Sequence, residues 1–115
     1  METNIKTYGA AIAPEFSNFI AACTQKAIEI NCNFLEVRVY ADYNYTQASF
    51  LVDKFGGIAA IINNFKGGRF TGSYSGEGAS KVENFESIEA ALAPVADAYT
   101  IEEKARENIE MFNCD

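Results

Sequence analysis

The sequence predicts an α+β fold: a three-stranded antiparallel sheet packed against helices, in the order α-β-β-α(short)-β-α-α. Three observations predict it. Apolar residues recur at helical spacing from Phe16 to Ile30, two runs between Leu35 and Val52 alternate apolar with polar residues, and helix-start signals crowd the last third. The 115 residues suit one domain, 1–115, and with 49% of them apolar they can build a core without metal or disulfide.

Pro14 fits the first turn of a helix, where a missing N–H costs nothing. Phe16, Ile20, Cys23, Ala27 and Ile30 follow at spacings of four, three, four and three, opposed by Ser17, Asn18, Gln25 and Glu29. That stripe predicts a helix over 14–31, stopped by Asn31 or Asn33. Leu35, Val37, Val39 and Ala41 then alternate with Glu36, Arg38, Tyr40 and Asp42, a half-buried strand. Asp42-Tyr43-Asn44 offers turn chemistry. Ala48, Phe50 and Val52 alternate with Gln47, Ser49 and Leu51, and the pair of runs predicts a hairpin.

Asp53 is placed to cap a short helix carrying Ile58, Ile61, Ile62 and Phe65 on one side and ending at Gly67-Gly68. Residues Arg69 to Tyr74 alternate again, the third strand. Two capping boxes follow, Ser80 with Glu83 and Thr100 with Glu103. The first predicts a helix with Val82, Phe85, Ile88 and Leu92 inward, ended by Pro94. The second predicts one with Ile101, Ala105, Ile109 and Phe112 inward, so that 80–113 forms an acidic helical C-terminal third. The helix-strand-strand-strand-helix part of this order resembles double-stranded-RNA-binding domains. No basic helix start is present to grip phosphates, so the resemblance implies topology and not RNA binding.

Charge is distributed unevenly. Residues 1–76 hold six acids and six bases, whereas residues 77–115 hold ten acids and three bases, which accounts for the whole net charge of −7. Such an asymmetry bears on partners more than on fold. The chain around Tyr40, Tyr43 and Tyr45 has no excess of bases and includes Asp42, which argues against direct contact with nucleic acid. The longest apolar run, Gly56–Ile62, is far short of a membrane span, and Met1-Glu2-Thr3-Asn4 carries no signal-peptide pattern, so a cytoplasmic location is expected, the host cytoplasm if the chain is phage-encoded.

Histidine is absent, which removes the commonest general base and transition-metal ligand. Three cysteines, Cys23, Cys32 and Cys114, form no Cys-x-x-Cys pair, and an odd count favours reduced, buried thiols over a disulfide framework. The sequence therefore leans away from an enzyme and implies no cofactor or metal. The glycine-rich stretch from Gly67 to Gly78 lacks both the P-loop ending and the dinucleotide fingerprint, and reads as a loop or edge strand. Glu36, Asp42 and Asp53 flank strands and are the acids open to acid–base work.

Two groups of residues are candidates for partner binding. On the final helix Glu103, Glu107 and Glu110 fall within roughly 60° of one another, with Asp115 beyond them. Glu110 and Asp115 sit at the helix end that prefers bases, so local electrostatics does not explain them. Tyr40, Tyr43 and Tyr45 cluster at the hairpin tip, where amphipathic rings serve either cross-strand packing or interface anchorage.

The expectation is a small acidic protein-binding module, an inhibitor or adaptor that occupies a basic groove on a larger partner such as a nucleic-acid-handling complex. In size, acidity and lack of a catalytic set the chain resembles the broad class of small phage-encoded inhibitors, anti-CRISPR proteins and nucleic-acid mimics among them. A small Glu/Asp/Tyr-based enzyme or ligand-binding protein, and a structural subunit of a homo-oligomer such as a homodimer, are the alternatives.

Overall fold

The computed structural model describes residues 3–8, 16–40, 44–76 and 81–113, with side chains of the last helix described to Glu107. The class is α+β, with a single mixed sheet of six strands in spatial order β1-β2-β3-β4-β5-β6. The elements are β1 (Asn4–Tyr8), α1 (Ser17–Glu29), β2 (Phe34–Tyr40), β3 (Tyr45–Leu51), β4 (Ile58–Phe65), β5 (Arg69–Tyr74), β6 (Glu83–Phe85), α2 (Ile88–Leu92) and α3 (Val95–Asn113). β1 pairs parallel with β2 across the α1 crossover, and the other four pairings are antiparallel.

The expected three strands are therefore six, and the order differs from that of a double-stranded-RNA-binding domain. β1 escapes a reading by alternation because it is an edge strand whose five side chains are all exposed. The expected short helix over 53–66 is instead β4. Ile58, Ile61 and Ile62 are β-branched, and Ala60, Ile62 and Asn64 line up opposite Phe50, Ala48 and Thr46 of β3. Asp53 caps a loop: its Oδ1 accepts from the N–H groups of Phe55 (2.9 Å) and Gly57 (3.0 Å). Gly67-Gly68 turns the β4–β5 hairpin with φ of 101° and 84°, conformations that favour glycine. A bulge at Phe50/Leu51 admits Ala59 as an extra residue on β4.

Helix α1 is described from Ser17 to Glu29, and Pro14 lies outside the described residues. Its buried line is Phe19, Cys23 and Ala27, with Ile20 only partly buried. Asn31, at φ 55°, ends it, and Cys32 N–H returns to the Ala27 carbonyl at 2.9 Å.

Both expected capping boxes fail. Glu83 and Phe85 belong to β6, Ser80 lies outside the described residues, and Val82 is 57% exposed. The cap of α2 is Ser87, whose Oγ accepts from Ala90 N–H at 3.2 Å. Pro94 sits just before α3, where it costs no hydrogen bond, and Ala98 N–H bonds its carbonyl. Thr100 lies inside α3 and bonds back to the Ala96 carbonyl at 3.2 Å. Glu102 and Glu103 are thus mid-helix residues, and the helix dipole gives them no support.

One face of the sheet carries the core. Leu35 and Val37 of β2, Ala48 and Phe50 of β3, Ala60 and Ile62 of β4, and Tyr74 of β5 share it. Phe19, Cys23 and Ala27 of α1, Ala91 and Leu92 of α2, and Val95, Ala98 and Tyr99 of α3 cover it. Tyr99 tethers α3 by accepting from Asn33 N–H at 3.0 Å. Among the described residues no helix is long and apolar enough to cross a membrane.

Candidate functional site

The two groups of candidate residues lie at opposite ends of the strands. Tyr40 and Tyr45 are register partners at the β2–β3 turn end. Asp53 and Ser75, the anchors of the distal part of α3, follow the other ends of β3 and β5. Six residues of strand separate the ends, about 20 Å at the usual rise.

At the turn end, the helix-free face of the sheet carries a transverse row. Tyr40 stacks on Tyr45 with ring centroids 4.8 Å apart, Tyr45 stacks on Phe65 at 5.2 Å, and the Arg69 guanidinium lies 4.8 Å from the Phe65 ring centre. The rings are half-buried. The tyrosines are thus engaged in cross-strand packing, and Tyr43 lies outside the described residues. Phe65 and Arg69 complete the row; sequence reading missed Phe65 because it was placed on a helix. The next row is polar: Gln47 Nε2 donates to Asn63 Oδ1 at 3.1 Å, and Asn63 Nδ2 to Thr71 Oγ1 at 3.3 Å. Arg38 stacks over Tyr8 at 4.4 Å and pairs with Glu36 at 3.6 Å. Apart from Leu51, no side chain of β1 to β5 on this face is buried.

At the other end, α3 leaves the body. Val95, Ala98 and Tyr99 are buried, whereas Ile101, Glu103, Lys104, Ala105 and Glu107 are exposed. The first two positions of the expected inward stripe, Ile101 and Ala105, are therefore exposed, Ile101 with part of its side chain beside Gly76; Ile109 and Phe112 have no described side chains. Glu103 and Glu107 share one flank, one helical turn apart. Glu110 lies in the helix without a described side chain, and Asp115 lies outside the described residues.

Glu102 and Arg106 take tertiary partners. Arg106 Nε donates to Asp53 Oδ2 at 2.8 Å, and Ser75 Oγ donates to Glu102 Oε2 at 2.8 Å. Burial pushes the Asp53 carboxyl up, but the Gly57 and Phe55 N–H groups and Arg106 outweigh it and hold it below the usual carboxylate range. Beside Glu102 lies a groove of about 380 Å³, with Ile58, Ile61 and Tyr74 as apolar walls and Ser73, Ser75 and Glu102 as polar groups. A long basic side chain fits this combination, with its stem against the isoleucines and its charge at Glu102.

The thiols are placed for packing. Cys23 is fully buried, and burial pushes its thiol far above the ordinary range. Cys32 is pushed by burial up to about 11, and its Sγ donates to the Phe34 carbonyl at 3.1 Å. Both are free. Of the acids open to acid–base work, Glu36 pairs with Arg38, Asp53 caps its loop, and Asp42 lies outside the described residues. Among the described residues no group of three or more His, Cys, Asp and Glu is placed to hold a metal ion. The chain matches no protein-family model, no curated protein and no solved structure in comparisons with each.

Proposed function

We propose that the protein is a small binding module whose acidic helix α3 docks on a basic surface of a larger protein. The observation that carries this reading is the exposure of Glu103 and Glu107 on one flank of α3, while Glu102 and Arg106 hold the helix to Ser75 and Asp53. From Glu102 to Glu110 the helix holds four acids and two bases, and one of those bases, Arg106, is committed to Asp53. A carboxylate flank steers a basic partner at low salt, and the uncovered Ile101 and Ala105 supply apolar area once contact is made. The groove beside Glu102 takes one lysine or arginine of that partner.

A finer version, in which the helix imitates nucleic acid in the groove of a nucleic-acid-handling complex, as phage-type inhibitors do, needs more charge than this flank carries. Glu103, Glu107 and Glu110 span about 10 Å of helix, over which a DNA duplex presents about six charges. Protein docking is therefore the better-supported form.

The test is affinity capture from the source lysate, with the unaltered chain and with Glu103, Glu107 and Glu110 changed together to Gln, at 50 and 500 mM salt. The expected result is a partner held by the unaltered chain at low salt and lost both with the variant and at high salt. A partner retained equally under all four conditions removes α3 from the model.

A further inference from the structure

Ile61 and Ser73 are register partners on the helix-free face of the sheet, and with Ile58, Ser75 and Glu102 they line the groove of about 380 Å³. Ile58 is 43% exposed. Ile101 of α3 is 48% exposed, and its Cδ1 lies 2.9 Å from where a Cβ on Gly76 would stand, at the rim of the same groove. The groove therefore combines apolar surface, two hydroxyls and one carboxylate.

The carboxylate is the unusual member. The half-buried acids among the described residues are Glu36, Asp53, Glu83 and Glu102. The first three each pair with a base, at 3.6, 2.8 and 3.9 Å. Glu102 pairs with no base among the described residues, and its partner is the Ser75 hydroxyl on Oε2. Arg106, one turn further along α3, is committed to Asp53. A half-buried carboxylate beside apolar surface gives up hydration that one hydroxyl does not replace. A cation that arrives from outside gains more there than at the exposed Glu103 or Glu107.

Between the two basic side chains, the groove suits the guanidinium. Glu102 Oε1, Ser73 Oγ and Ser75 Oγ are all acceptors, since a hydroxyl that donates can still accept. A planar guanidinium brings more donors than an ammonium and sheds water more readily. We propose that the groove takes an arginine side chain that stands between apolar residues of the docking partner. Its guanidinium sits at Glu102, its stem lies along Ile58 and Ile61, and the neighbouring apolar residues cover the exposed parts of Ile58 and Ile101. This rests on the reading of the α3 end as a docking surface and names the residue type recognised there.

Capped tripeptides serve as probes: Leu-Arg-Leu, Leu-Lys-Leu, Leu-citrulline-Leu and Ser-Arg-Ser. In a titration of the ¹⁵N-labelled chain followed by amide shifts, Leu-Arg-Leu is expected to bind saturably, with shifts centred on residues 58–61, 73–76 and 101–103. Citrulline keeps the shape and loses the charge, and its peptide should bind about 10-fold more weakly, as expected for a lost charged hydrogen bond. The lysine and serine peptides should each bind about 3-fold more weakly. Glu102→Gln should abolish the preference for arginine over citrulline, whereas Glu103, Glu107 and Glu110 changed together to Gln should leave it standing. Equal binding of Leu-Arg-Leu and any other probe, no saturable binding, or shifts centred elsewhere overturns the proposal. If the peptides fail while capture of a partner still depends on Glu103, Glu107 and Glu110, this proposal falls and the docking reading stands. If the peptides behave as expected while capture ignores those three residues, the α3 flank falls and the groove stands. The comparison of probes on the unaltered chain decides the matter even if the Glu102 variant does not fold.

Discussion

Arg106 on α3 donates to Asp53 in the β3–β4 loop, Nε to Oδ2 at 2.8 Å, across 53 residues of sequence. The pair closes the end of the sheet where α3 departs, and the same carboxylate holds its own loop through Phe55 and Gly57. The Asp53 carboxyl is held below its ordinary value, so its contribution is whole above about pH 4 and is lost as pH falls through the depressed folded value. Asp53→Ala is expected to cost about 1–2 kcal/mol at pH 7, and urea titrations should show the difference from the unaltered chain shrinking towards pH 2. Arg106→Gln should flatten part of that pH dependence.

Gly72 is required by Tyr74. The Tyr74 ring folds back over the glycine on the same face of β5, and its hydroxyl donates to the Ala91 carbonyl of α2. A Cβ on Gly72 would collide with the ring and hydroxyl. Gly72→Ala is expected to destabilise by about 2 kcal/mol or more, and Tyr74→Phe by about 1–2 kcal/mol, through the carbonyl deprived of its donor. In a Tyr74→Leu background the Gly72→Ala cost should fall, which thermal melts of the four chains would read as coupling.

Stacking across the hairpin end runs through Tyr45. Tyr45 touches both Tyr40 and Phe65, so Tyr45→Ala removes two ring contacts and Tyr40→Ala one. A double-mutant cycle on Tyr40 and Tyr45 should return a coupling of about 0.5–1.5 kcal/mol, measured by chemical denaturation. A coupling near zero would mean that the stack adds nothing beyond sheet propensity.

Cys23 and Cys32 should be silent to thiol reagents in the folded chain. With the Cys32 thiol at about 11, roughly one molecule in a thousand is ionised there at pH 8, and burial bars access to both. In a Cys114→Ser chain, a disulfide-exchange reagent at pH 8 should release no rapid signal until denaturant is added, when two thiols should react.

Legibility of the fold followed local periodicity. The β2–β3 hairpin, β5 and the body of α1 were readable because each buries one face of a regular element, and the residues doing so alternate or recur accordingly. β1 buries no side chain and left no pattern. β4 was misread because Ile58, Ile61, Ile62 and Phe65 fit a helical period as well as a strand. The capping-box residues followed the right spacing, but Glu83 was taken up by a sheet edge and Thr100 by a longer helix. Of the site, the acidic flank and the tyrosine pair were visible as residues; their separation to opposite ends of the strands was not.

By itself the sequence determined the class of fold, the helical and acidic character of the chain's end, and the burial of Cys23 and Cys32. These depend on residue type and near-neighbour spacing, which the chain carries openly. Tertiary structure alone decided that Arg106 turns to Asp53, that Ile101 and Ala105 of α3 stay exposed, and that Asn64 and Thr46 meet as unpartnered groups in an apolar face. Each of these depends on which strands become neighbours and where the sheet ends. Pairings between residues 18 to 53 apart are set by the packing of the whole core, and no local period encodes them.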